Sequence, residues 1–488
     1  MKTATLLTAG ATLLLSALAV KYPNRPIFTE DREDIPSICA HPLVGITPTL
    51  LLAKDIFHQY LFDLFEKVNV MTLTGIGLGM PRSIMTIDPR NVDYILKDNF
   101  ENYVKGAMLN DAAGDLLGHG IFNANGEAWK YQRKTAASIF NTKKISDQFT
   151  TVFLTQLQHM NYHIFDTAAD NGQPLDFHDT MLRFTLNYFM EIGFGVELNA
   201  LSSGNNLPFI RSFDICQANV FQRFANPAFQ WTETLSAWFM PWKTTIAQHL
   251  DIIDDFAYGV IEDRQRGLNH GEERNDLLSK FMETTNEHGQ KLSKEELRDV
   301  VLNFVIAGRD TTAQTISWMV YSLLTNPLVQ SKLMAEIKAH ITDELYENPV
   351  TIFYETLRLY PGVPANQKYA LNDDIWPDGT VIKKNDYVLW SAYGQGRSRK
   401  IWGSDAKDFK PERWFTAEGD LRRESPGKWP AFNAGRKAKL ATLEALVAVV
   451  TLLRKYELTL VPNQEITYRV STTLPMKNGM NVYVKTRT

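Results

Sequence analysis

Cysteine is nearly absent from this chain, with only Cys39 and Cys216 among 488 residues. That scarcity excludes a disulfide framework, a cysteine-rich zinc module and a cysteine-ligated iron–sulfur cluster. An excess of charge of either sign is lacking too, because 51 Lys+Arg stand against 55 Asp+Glu and leave a formal charge of −4. So even a balance gives no electrostatic footprint for nucleic acid, which is therefore not an expected partner. No internal repeat and no low-complexity run interrupts the sequence after Asp31. With 44% hydrophobic and 22% charged residues, disorder is excluded as the main character of the chain.

What is present begins with one uncharged apolar run, residues 3–20, between Lys2 and Lys21. At a rise of ~1.5 Å per residue it reaches roughly 27 Å, close to a hydrocarbon core of ~30 Å. Residues 3–20 are expected to form a transmembrane anchor, and 21–30, with Pro23 and Pro26, a stiff proline-rich linker. A secretory signal cleaved after Ala17-Leu18-Ala19 is the competing reading. Residues 31–488 read as a single domain. Helical periodicity dominates its middle, as at 152–168 and 246–266. Strand-like alternation is confined to short stretches at 70–74, 83–87, 385–390, 457–461 and 466–470. The expected fold class is mainly α with small β-sheets.

One helix has a costly middle. Ser293-Lys-Glu-Glu296 is a capping box, and the helix it opens is predicted to run to Asn326-Pro327. Inside it, Gly308 costs about 1 kcal/mol relative to alanine. Asp310 would be expensive to bury unpaired, and Thr311 and Thr312 can bond back to carbonyls one turn earlier. Together they point to a ligand site at which the helix bulges; an exposed polar stripe on a surface helix is the plainer alternative. Glu355 and Arg358 lie i,i+3 on one helical face, and a third partner, Arg413, would turn the pair into a network. Trp129 and Arg133 stand one turn apart, an indole N–H and a guanidinium suited to an anionic carboxylate.

The order of these motifs is more telling than any one of them. Trp129-x-x-x-Arg133, Ala307-Gly308-x-Asp310-Thr311-Thr312, Glu355-x-x-Arg358, Pro411-Glu412-Arg413 and Phe432-Asn433-Ala434-Gly435 follow one another along the chain. In this the sequence resembles the cytochrome P-450 family of haem-thiolate monooxygenases over essentially its whole length. A narrower likeness to microsomal long-chain fatty-acid hydroxylases rests on Lys21-Tyr-Pro-Asn-Arg-Pro26, Gly120-Ile-Phe-Asn123 and Tyr387-Val-Leu-Trp-Ser-Ala-Tyr393. The resemblance implies a cytochrome P-450 fold behind an anchor in the endoplasmic reticulum membrane, with the catalytic domain in the cytosol. It implies haem b as cofactor, electrons from NADPH through a flavoprotein reductase, and a lipophilic small-molecule substrate hydroxylated at a fatty-acid-type C–H bond. Residue by residue, it makes Asp310 and Thr311 the acid–alcohol pair that relays protons, and gives Ala307 and Gly308 the space for O₂. Trp129 and Arg133 would bind a haem propionate, Phe432 and Gly435 would belong to the haem loop, and Glu355, Arg358 and Arg413 would form a structural triad.

The haem loop departs from the pattern. The family reads Phe-x-x-Gly-x-Arg-x-Cys-x-Gly and then enters a helix with Ala-x-x-Glu. Here Phe432 and Glu444 are only twelve positions apart, four fewer than that pattern, and the Cys-x-Gly is missing. Read without a gap, the thiolate position is Lys439. A lysine amine is no substitute for a thiolate, whose electron push favours O–O cleavage. No axial metal ligand is therefore expected. The stretch between Thr325 and Glu355 also reads as one or two helical turns short of the family's usual length. Two alternatives stay open beside the monooxygenase: a non-catalytic descendant of the same fold that binds an apolar ligand, and a secreted helical binding protein.

Overall fold

The computed structural model describes all residues except 1, 39, 141–142, 203–206, 225, 272–275, 287, 340–346, 434–437 and 488. Of the residues described, the side chains of 2–8, 143–146, 347–348 and 438–439 are left aside. The helices that frame the site are α1 (Lys2–Lys21), α2 (Phe57–Val68), α3 (Gly126–Phe140), α4 (Phe177–Phe194), α5 (Pro208–Phe224), α6 (Phe229–Phe239), α7 (Ile246–Asn269), α8 (Lys294–Val305), α9 (Thr311–Thr325), α10 (Glu347–Leu359) and α11 (Ala438–Lys455).

The strands are short and pair into small sheets, as the sequence pattern predicts. Five strands make the largest sheet: β1 (Thr72–Gly75), β2 (Ser83–Thr86), β3 (Tyr103–Val104), β5 (Asn366–Ala370) and β6 (Tyr387–Trp390), in the order β1-β2-β6-β5-β3. A second sheet joins β4 (Leu175–Asp176), β7 (Tyr456–Leu460) and β8 (Asn481–Thr486) in the order β4-β8-β7. The predicted strand at 466–470 does not form; it leaves one isolated bridge, Tyr468 to Met476. Opposite it stands Pro475, which has no N–H to donate to a ladder. Beyond that bridge, Gly479 takes φ +70°, and a Cβ there would lie only 2.1 Å from an Asp176 carboxylate oxygen.

The expected long helix is real but interrupted. Its capping box is in place, with Ser293 Oγ accepting from the Glu296 N–H at 3.2 Å and a Glu296 carboxylate oxygen accepting from the Ser293 N–H at 2.7 Å. The helix then runs as α8, a π-helical turn at Ile306–Asp310, and α9. The widened turn falls on the residues singled out as costly. A Cβ on Gly308 would lie 2.1 Å from the Phe189 ring, so only glycine lets the helix approach α4 this closely. The Thr311 hydroxyl donates back to the Ala307 carbonyl at 2.8 Å, and Thr315 to Thr311 at 2.7 Å. The main hydrophobic core is built around this contact, with α4, α9 and α11 contributing fully buried Phe184, Met319 and Leu452.

The amino-terminal expectations are modified. The run 3–20 forms a helix, α1, yet among the described residues no helix is long and apolar enough to cross a membrane. The 21–30 stretch makes contacts of its own with the residues that follow it. Tyr22 is buried, Pro26 bridges to Leu43, and the Leu43 N–H donates to the Tyr22 carbonyl at 3.2 Å.

Candidate functional site

Beneath the π-helical turn lies a chamber of about 1380 Å³. Ala307, Gly308, Thr311 and Thr312 form part of its wall, and Phe432, Leu440 and Glu444 another. Trp129 and Arg133 of α3 also line it, one turn apart as the sequence predicts. They stand among cations that no local pattern announces. Lys105, before a short helix, and Lys368 on β5 both face the chamber, and Lys105 feels the charges of Lys368 and Arg133. Lys105 lies over the Trp129 ring at 6.0 Å and Lys368 over Phe100 at 5.0 Å. Among the described residues no carboxylate pairs with Lys105, Arg133 or Lys368. Burial, aided by the neighbouring cations, pushes the Lys105 amine down to about 7, and burial pushes Lys368 down to about 8. Half-buried cations with no carboxylate beside them among the described residues suit an anion, although Lys105 Nζ also donates to the Ile121 carbonyl.

A tetrapyrrole bearing two carboxylates fits this volume and this donor set. The ligand to its metal does not fit. Among the described residues no cysteine lines the chamber, and the sequence has none between Phe432 and Glu444. Cys216 is buried on α5 outside the chamber wall, where burial pushes its thiol up to about 12. Cys39, Gly435 and the rest of 434–437 lie outside the described residues, as does the Lys439 side chain.

The cation cluster also sets a pH dependence. Metal-free protoporphyrin should bind most tightly below about pH 7 and weaken about tenfold or more between pH 7 and 9, as Lys105 and then Lys368 lose their protons. Fluorescence titration measures this. The Lys105→Met/Lys368→Met double variant should bind weakly and with a flat profile.

Asp310 and Thr311 adjoin in sequence but face different surroundings. Thr311 lines the chamber; Asp310 does not. The Asp310 carboxylate accepts from Gln217 Nε2 at 2.7 Å and lies 3.2 Å from Arg309, which in turn pairs with Asp214 at 2.6 Å. Burial raises the Asp310 carboxyl to about 6 against the opposing pull of Arg309. Gln217, which sequence reasoning missed, reaches both Asp310 and the chamber wall.

Glu444 is the buried acid of the wall. It accepts from the Thr312 hydroxyl at 3.4 Å, and burial lifts its carboxyl from 4.5 to about 8, with Tyr188 and Thr312 pulling the other way. A folded-state value above the unfolded one means that the fold prefers the protonated acid. Its contribution is therefore complete below pH 4.5 and is lost as pH rises through about 8. Glu444→Gln should remove that loss, raising the thermal midpoint at pH 8–9 by several degrees and leaving it nearly unchanged at pH 5. Thermal unfolding across this pH range checks it.

The structure also gathers Glu355, Arg358 and Arg413. Glu355 Oε1 accepts from Arg358 at 2.7 Å and from Arg413 at 2.9 Å, and Oε2 accepts from Trp414 Nε1 at 3.0 Å.

A family model described as Cytochrome P-450 matches residues 36–480. Curated relatives include cytochrome P-450 704B1 of Arabidopsis thaliana, 34% identical over 91% of this chain and 94% of its own length. Cytochrome P-450 704C1 of Pinus taeda is 35% identical over 91% of this chain and 92% of its own. Cytochrome P-450 86B1 of Arabidopsis thaliana is 33% identical over 90% and 84%.

Proposed function

The chain belongs to the cytochrome P-450 family of monooxygenases, and from that premise we propose that its fold serves haem-dependent hydroxylation of a lipophilic, fatty-acid-type substrate. Turnover would need a cysteine-bearing haem loop that this sequence is four residues too short to contain. The observation that carries the reading is the large, mainly apolar chamber under Ala307–Thr312, with uncompensated cations on its wall.

When bound, haem would supply the oxygen chemistry, with Trp129, Arg133, Lys105 and Lys368 holding its carboxylates. The chain's own groups do the rest. Thr311 presents a hydroxyl to the chamber, and Gln217, whose amide donates to the Asp310 carboxylate, joins that carboxylate to the wall; raised to about 6 by burial, Asp310 takes up a proton more readily than an ordinary aspartate. Phe189, seated against Gly308, helps to exclude water. Electrons would come from NADPH through a flavoprotein reductase.

We place the protein at the endoplasmic reticulum membrane, its catalytic body on the cytosolic side. Support comes from α1 and from a surface cluster around α6, where Trp231, Trp238 and Trp242 are each at least 73% exposed. Tryptophan suits a membrane–water interface. Trp231→Ser/Trp238→Ser/Trp242→Ser should cut the fraction of chain sedimenting with phosphatidylcholine vesicles at least twofold.

The reading is tested by titrating the chain with a long-chain fatty acid against a fluorescent apolar probe. Micromolar displacement is expected; no displacement at saturating acid overturns it. The missing cysteine favours a second reading, a non-catalytic binder of an anionic amphiphile in the same chamber. That reading survives only if the transcript itself contains no cysteine codon across 435–440.

A further inference from the structure

One buried side chain on the chamber wall has no role in the scheme above. His58, near the start of α2, is 0% exposed, and neither of its ring nitrogens has a hydrogen-bond partner among the described residues. Aromatic rings surround it: Phe57 at 5.6 Å, Phe221 at 5.8 Å, Tyr468 at 5.7 Å and Tyr393 at 6.0 Å. Phe57, His58 and Phe221 all line the chamber. The two tyrosines are pinned from behind by one residue, since the Tyr393 hydroxyl donates to Gln59 Oε1 at 2.9 Å and the Gln59 N–H donates to the Tyr468 oxygen at 3.0 Å. The tyrosine side of the ring is thus fixed and its polar atoms are unmatched; a ligand oxygen reaches them when Phe57 or Phe221, the chamber-facing rings, turns aside.

A packing role alone would be met better by phenylalanine or leucine, which bury no donor or acceptor. Unsatisfied polar atoms at this depth are uncommon in folded proteins and call for a partner that arrives later. Burial and the nearby Arg397 guanidinium hold the imidazole neutral, with its pKa down to about 3. It therefore offers one N–H donor and one lone pair, not a charge. Arg397 lies 3.6 Å from the centre of the Tyr393 ring and makes the local potential positive, which favours an electronegative atom over a cation.

We infer that His58 donates a hydrogen bond to an oxygen at the end of an apolar chain bound in this chamber, and so sets which lipophilic molecules it accepts. The inference rests on the apolar-ligand reading of the chamber and adds to it a specificity-determining residue. A hydroxyl and a carboxylate share the required chemistry, an oxygen that accepts; a plain hydrocarbon lacks it.

The test is competition against a fluorescent apolar probe on the full chain, using dodecanoic acid, dodecanol and dodecane. The parent should bind dodecanol about tenfold more tightly than dodecane, one unmet hydrogen bond being worth roughly that factor. His58→Phe should bring dodecanol down to the affinity of dodecane and leave dodecane unchanged. His58→Gln, which keeps a donor, should retain part of the preference. Three outcomes overturn the inference: a preference for dodecanol that persists in His58→Phe, an equal loss of dodecane and dodecanol, or a preference abolished only by Lys105→Met/Lys368→Met. The dodecanoic acid arm separates the sources, because the lysine variants should weaken the acid and spare the alcohol. Failure of the parent to bind any of the three sinks the apolar-chamber reading together with this one.

Discussion

Lengthening the 436–439 segment by four residues, so that a cysteine falls seven positions after Phe432 and nine before Glu444, should yield a chain that takes up haem with a thiolate-type absorption band when reduced under carbon monoxide. The chain as written should give no such band. The change is expected to be all-or-none because Phe432 and Glu444, the two flanks, both line the chamber. Phe432 stacks on Phe353 of α10 with ring centroids 6.3 Å apart, and Glu444 touches Thr312 beside it on the wall at 3.4 Å. Lys105 and Lys368 stand on the same chamber wall. What is lacking is a cysteine thiolate, the soft, electron-donating ligand that favours O–O cleavage. Hydroxylated product from a long-chain fatty acid, with a reductase and NADPH, should appear only in the lengthened chain. The same insertion with serine for cysteine is the control and should stay silent. A lengthened chain that folds but shows no band would mean that the departure extends beyond four residues.

The second large effect is on stability. Arg358→Met should reduce soluble chain to a small fraction of the parent yield. Both Glu355 and Arg358 are fully buried, with side-chain exposures of 0% each. Arg358 donates twice to Glu355 at 2.7 Å and also to the Ala406 and Asp408 carbonyls at 2.6 and 3.0 Å and to that of Gly396. Glu355 in turn accepts from the Lys410 N–H at 2.8 Å, so the pair ties α10 to the 396–414 segment. Removing the guanidinium leaves a buried carboxylate and orphaned carbonyls, at a cost of ~3–5 kcal/mol. That is a large share of a net stability of ~5–15 kcal/mol. Arg413→Lys keeps the charge beside Glu355 and should cost only about 1 kcal/mol. Soluble yield and thermal midpoint measure both; an Arg358→Met chain as soluble and heat-stable as the parent would count against the network's structural weight.

Features that follow from local physics could be read in advance. The capping box at Ser293, the costly run Gly308–Thr312 and the i,i+3 pair Glu355/Arg358 each reflect rules that act within one or two helical turns. So does the pairing of Trp129 with Arg133. The absence of a cysteine after Phe432 needs no structure at all.

Other features depended on residues far apart in sequence. Lys105 and Lys368 carry no local signal, and they become an anion site only because β5 and the segment before α3 close on one chamber. The resemblance pairs Asp310 with Thr311, yet a π-helical turn gives them different neighbours, Gln217 and Arg309 for one and the chamber for the other. The strand expected at 466–470 failed for want of a full ladder opposite Pro475. The 21–30 linker lies on the body because Tyr22 and Pro26 meet Leu43.

By itself, then, the sequence determined the family, the helical frame, the flaw in the long helix and the missing haem ligand, because each is set by spacing or composition along the chain. Only the tertiary structure decided which charges are stripped of water and which polar atoms remain unmatched. Desolvation depends on what packs around a group from every side, and for Lys105, Glu444 and His58 those neighbours come from distant segments.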